Sequence, residues 1–209
     1  MRFAIFHGLT LAIFGVLLVG MLGWPAPTKA QLGTTTVVTT GTTTTALADT
    51  GTLAAGSSNA LQASALAGNI PAALLAGDVL HATTIGYPNQ IDSEASLADL
   101  SVGAAGTTIG ADFVMARASQ VLGGAGAGSA EVDNLSINGI PVVVTGAPNQ
   151  SISLPGGGAM ILNEQQTLPD GTIVVNALHI TIPGVEDVVI AAATAGSSGG
   201  RATAARASF

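Results

Sequence analysis

The chain contains no cysteine. That excludes a disulfide framework, a thiolate metal site, a cysteine nucleophile and a lipidated N-terminal cysteine. Aromatic residues make up 3% of the sequence, and beyond residue 30 only Tyr87, Phe113 and Phe209 remain. Sites that stack sugars or single-stranded bases on rings are therefore poorly served. Charge is also scarce, at 8%. All 12 acids lie beyond residue 31, where only Arg117, Arg201 and Arg206 oppose them, leaving a formal charge of −9 with neutral histidines. Such a chain has no basic cluster to displace the counterions of DNA or RNA.

What is present is small and β-branched. Hydrophobic residues reach 48%, chiefly Ala, Val, Leu and Ile, with 28 Gly besides. This composition suits strands that pack closely. The 209 residues suffice for one domain once targeting and tail segments are set aside.

Residues 1–30 read as a secretory signal peptide. Arg2 is the positive start, Leu9 to Leu22 the apolar run and Trp24-Pro25-Ala26-Pro27 the break, and Thr28-Lys29-Ala30 places small residues for cleavage before Gln31. The alternative is an uncleaved membrane anchor, since Phe3 to Leu22 is about long enough to span. Residues 31–58 form a Thr-rich N-terminal segment, read either as a flexible spacer or as a strand that pairs with the domain or a neighbouring copy. Residues 59–196 are the expected all-β domain. Residues 197–209, made mostly of Gly, Ser, Ala and Arg, are expected to be a disordered tail.

Within the domain, alternating apolar runs are separated by turn signals. Asn138-Gly139, between Leu135/Ile137 and Ile140/Val142/Val144, is the clearest, because a type I′ turn needs two residues with positive φ. Pro169-Asp170-Gly171 predicts a hairpin between Met160–Leu168 and Thr172–Ile182, and Pro183-Gly184 a further turn. Only Ile70 to Ala76 reads as a helical turn, with Pro71 near its start and Gly77 ending it. The runs are short and lack an aromatic girdle, which argues against an outer-membrane barrel.

Four phrases occur in order: the hairpin within Val132–Val144, the Pro148–Leu154 segment, Leu162-Asn163-Glu164-Gln165, and Val175-Asn176-Ala177-Leu178-His179. Together they resemble the choice-of-anchor P proteins over about Asn59 to Gly196. That resemblance implies a secreted bacterial surface domain. It brings no catalytic residues, and residues 197–209 match no anchor of that family, which favours release or attachment through assembly.

Site chemistry has few candidates. His81 and His179 are the only histidines after the signal, without HxH or HExxH spacing, and read as polar residues on a sheet face. Asn163, Glu164 and Gln165 form the most site-like cluster, read as a structural hydrogen-bond network with oxygen ligation of calcium as the alternative. Asp92-Ser93-Glu94 and Glu186-Asp187 read as solvated loop charge, with calcium binding as the alternative, and Gly123 to Gly128 as a flexible loop. Asn134 and Asn149 fit the N-glycosylation pattern and are taken as chance matches. No GxSxG elbow is present.

The expectation is thus an all-β protein, a β-sandwich built from hairpins, with a β-solenoid as the alternative. In function it is a secreted or cell-surface structural or interaction protein, non-catalytic, without cofactor or metal, self-associating through β-edges or meeting other cell-surface components. An adhesin-like binding module is the runner-up. An exported hydrolase using Glu164 or His179 comes third.

Overall fold

The computed structural model describes residues 35–208, except 40–41, 71–74, 105, 156 and 183–185. The signal segment and the Pro183-Gly184 turn lie outside the described residues.

Among the described residues two seven-stranded antiparallel sheets pack face to face, so the fold is a β-sandwich and neither a solenoid nor a closed barrel. The chain starts in one sheet with β1 (Thr35–Thr39) and β2 (Thr42–Asp49) and then crosses over. The second sheet is a meander of β3 (Ala60–Ile70), β4 (Leu75–Tyr87), β5 (Gln90–Ala104), β6 (Thr107–Val121) and β7 (Gly126–Asp133). The short pair β8 (Ser136–Ile137) and β9 (Ile140–Pro141) completes it beside β6. The chain returns as β10 (Gln150–Ser153), β11 (Ala159–Thr167), β12 (Ile173–Ile182), β13 (Glu186–Gly196) and β14 (Gly199–Ser208). The first sheet is ordered β1-β2-β14-β13-β12-β11-β10, and the second runs β3-β4-β5-β6-β8-β9, with β7 also on β6.

Two turns follow from the sequence. Asn138 and Gly139 both have positive φ, 51° and 76°, as a type I′ hairpin demands. At Pro169-Asp170-Gly171, Gly171 takes φ 82° and Asp170 Oδ1 accepts the Thr172 amide at 3.0 Å. That bond holds the Asp170 carboxyl below its ordinary range. The helical reading of Ile70 to Ala76 is corrected at both ends: Ile70 closes β3, and Leu75 and Ala76 open β4. Its middle, residues 71–74, lies outside the described residues.

The expected disordered tail is also corrected, since β14 is an interior strand between β13 and β2. Ala202, Ala204, Ala205 and Ala207 are fully buried, while Arg201 and Arg206 face solvent. Alanine offers little apolar area, so a strand made of it reads as low complexity; here its small size lets the sheet lie close to its partner. The boundary at residues 58 and 59 separates no structural units either, because β2 continues the sheet that β14 belongs to.

Close approach explains the poverty in aromatics. A Cβ on Gly126 would stand 2.6 Å from Ile173 Cγ2, and one on Gly200 would stand 2.9 Å from Ile91 Cδ1. Gly126 and Gly128 therefore belong to a strand pressed against β12, which corrects the flexible-loop reading of Gly123 to Gly128 over its last three residues. The interior is a single cluster of Leu, Ile, Val and Ala with one Met, Met160. A polar thread crosses it: Ser93 Oγ donates to the Thr194 carbonyl at 2.8 Å, and Thr84 Oγ1 lies 3.3 Å from Ser93 Oγ and 3.2 Å from Thr50 Oγ1.

Strict alternation fails along one row of each sheet. In the first sheet the register aligns Leu162, Leu178, Ile190, Ala205 and Leu47. In β12, β13 and β14 the neighbours Ala177, Ala191 and Ala204 are buried as well, so two consecutive side chains point inward. Left-handed backbone at Asn163, Ala191 and Ala48 marks this row, with φ of 48°, 50° and 46°. In the second sheet the register aligns Ala67, Asp78, Ala98, Phe113 and Asp133. There the reversal goes the other way, and the pairs Leu66/Ala67 and Asp78/Val79 both face outward. Val79 and Asp99 carry the positive φ, 48° and 49°.

Candidate functional site

The reversal in the first sheet brings polar groups together on its outer face. Glu164 on β11 pairs with Asn176 on β12, and His179, one turn of the pleat further on, pairs with Val189 on β13. Two inward residues lie between Asn176 and His179, so both side chains emerge on the same face. Glu164 Oε2 accepts from Asn176 Nδ2 at 2.6 Å and lies 2.8 Å from His179 Nδ1. His179 Nε2 lies 3.2 Å from Asp187 Oδ1 and 3.3 Å from Thr181 Oγ1.

Carboxylates only accept hydrogen bonds, so one on each ring nitrogen favours the protonated form of His179. The Asp187 hydrogen bond pushes the His179 pKa up; partial burial opposes it and the charge of Glu164 adds to it. Conversely, the hydrogen bond from His179 holds Asp187 below its ordinary range, with Arg206 contributing. In the protonated ring both nitrogens donate, one to each carboxylate. The cluster ties β11, β12 and β13 to one another.

Asn163 and Gln165 point elsewhere. Asn163 Nδ2 donates to the Gly146 carbonyl at 3.0 Å, and Gln165 Nε2 donates to Asn163 Oδ1 at 2.8 Å and to the Gly128 carbonyl at 3.1 Å. These bonds tie β11 to β7 and to the loop before β10. Asn149 joins them, its Oδ1 accepting the Gln165 amide at 2.9 Å. Sequence reasoning grouped Glu164 with its neighbours but missed its partners Asn176 and His179, and Asp187 on the far side of His179, because the reversal that unites them leaves no period in the sequence.

His81 stands on the outer face of the other sheet, its Nε2 2.7 Å from Thr83 Oγ1. The Asp92–Glu94 stretch lies inside β5, not in a loop: Glu94 pairs with Arg117 at 2.6 Å and Ser93 points into the core. Asp187 likewise belongs to β13, which begins at Glu186. Arg201 is paired with Asp49 across β14 and β2, and that bond raises its pKa.

The sheet edges complete the picture. β9 is two residues long and contains Pro141. β10 is four residues long, and its Gln150 side chain bonds to Thr145 and Val143. On β7, the Gly128 carbonyl is taken by Gln165. β3 has eleven residues, with neither charge nor proline, and among the described residues it pairs on one side only, with β4. Leu66 at its centre is 88% exposed.

No family model, curated protein or solved structure matches the chain.

Proposed function

We propose that this chain is a secreted or cell-surface structural or interaction protein, non-catalytic, that associates with copies of itself through a β-edge. The observation that carries this reading is the uncharged edge of β3, one-sided among the described residues and longer than the other edges β1, β7, β9 and β10. Free N–H and C=O groups along such an edge offer a ready template for another strand. The sequence features of export and the likeness to choice-of-anchor P surface domains support the same setting. The engagement of both His179 nitrogens by carboxylates on the two neighbouring strands supports a bracing role for the most site-like cluster.

Sedimentation velocity of the purified protein over a concentration series, with and without a chelator, tests the reading. Concentration-dependent association that survives the chelator is expected. A monomer at every concentration would refute self-association, and binding to cell surfaces by that monomer would transfer the argument to an adhesin.

A further inference from the structure

Resting on the self-association proposed above, we infer that the partner of β3 is β3 of a second copy, in one antiparallel register with its two-fold axis between Leu66 and Ala67. The pleat reversal selects that register. Along β3, Leu61, Ala63, Ala65, Gly68 and Ile70 are turned towards the core, where Leu61 and Ala65 pack on its margin and a Cβ on Gly68 would stand 3.0 Å from Leu47 Cδ1. Gln62, Ser64, Leu66, Ala67 and Asn69 are exposed. The two consecutive exposed residues, Leu66 and Ala67, are where alternation breaks.

A strand added to a sheet must set core-facing residues beside core-facing residues, and a slip of one residue inverts every side chain. For two copies of β3 with a break at the same place, only one of the antiparallel alignments that pair both Leu66 and Ala67 satisfies this, and it joins Ala63–Ile70 of each copy. It puts Leu66 opposite the partner copy's Ala67 residue, Ala65 opposite Gly68, Ser64 opposite Asn69 and Ala63 opposite Ile70. Every other alignment that pairs both Leu66 and Ala67 puts at least one core-facing residue opposite an exposed one, and those that avoid the break join fewer residues. The same alignment carries the reversal row of Ala67, Asp78, Ala98 and Phe113 unbroken into the second molecule.

A second copy suits this edge for two further reasons. The protein's acids would repel a like molecule, yet β3 carries none of them, so like charges do not meet along the paired strands. Leu66, 88% exposed, and Val79 beside it on β4, 63% exposed, form an apolar patch next to the axis. The two-fold lays each Leu66 near its symmetry mate, as an isologous interface requires.

The absence of native cysteine makes the test clean. The double variant Ser64→Cys/Asn69→Cys, treated with diamide, is expected to run as a covalent dimer without reductant. Neither single variant should cross-link, because each cysteine would be about 16 Å from its own symmetry mate at ~3.3 Å per residue, beyond the ~7 Å limit for a disulfide. An equal mixture of the two single variants should give the cross-linked dimer. Leu66→Lys, on an exposed site, should keep the melting temperature and weaken association on the order of tenfold through like charges at the axis. If the parent associates but the double variant fails to cross-link, or Leu66→Lys associates as well as the parent, the β3 register is wrong while self-association stands. A parent that stays monomeric at every concentration overturns both.

Discussion

His179 and Glu164 are joined at 2.8 Å across β12 and β11, and the opposite nitrogen of the same ring meets Asp187 on β13. The His179 pKa is raised above its ordinary 6.5, so its stabilising contribution is complete below about 6.5 and is lost as pH rises through the folded value. The Asp187 pKa is lowered below 3.8, so its contribution is complete above about 3.8 and is lost as pH falls through the folded value. The cluster therefore helps most between about pH 4 and 6.5. His179→Gln is expected to cost about 1 kcal/mol there, a melting temperature lower by roughly 2–4 °C, and to cost progressively less towards pH 8. Thermal melts of both proteins across that range check it; an identical cost at every pH would contradict the imidazolium assignment.

Gly128 faces Val175 so closely that a Cβ there has no room. Gly128→Ala should destabilise by about 1–3 kcal/mol through overpacking, although alanine is the better strand former. Ser129→Ala, at the next position on the same strand, is the control and should stay within about 0.5 kcal/mol. Denaturant unfolding of both variants measures the difference.

Removing residues 199–209 should abolish folding, because it uncovers β13 and β2 together and strips four buried alanines from the core. Far-ultraviolet circular dichroism and solubility report the outcome. A truncated protein that melts like the parent would contradict the interior placement of β14.

Much of the fold was legible where turns carry their own chemistry. Asn138-Gly139 and Pro169-Asp170-Gly171 each state a backbone conformation that few residues adopt, and each hairpin stands where its turn residues require. β14 was illegible for the opposite reason: a strand of Ala, Gly and Arg carries almost no hydrophobic contrast, and its place between β13 and β2 is decided by neighbours far away in sequence. The site was half legible. Glu164 stood out as an acid among amides, whereas its partnership with His179 depends on Ala177 and Leu178 both turning inward. Period-two reading assigns those neighbours to opposite faces and so places His179 wrongly relative to Asn176.

The claim that the working surface is the β3 edge is tested most directly by amide hydrogen exchange of the purified protein at low and high concentration. The account predicts that protection within Leu61–Ile70 rises with concentration, while that of β9 and β10 stays constant. Unchanged exchange along β3 in a sample that has visibly associated would contradict it.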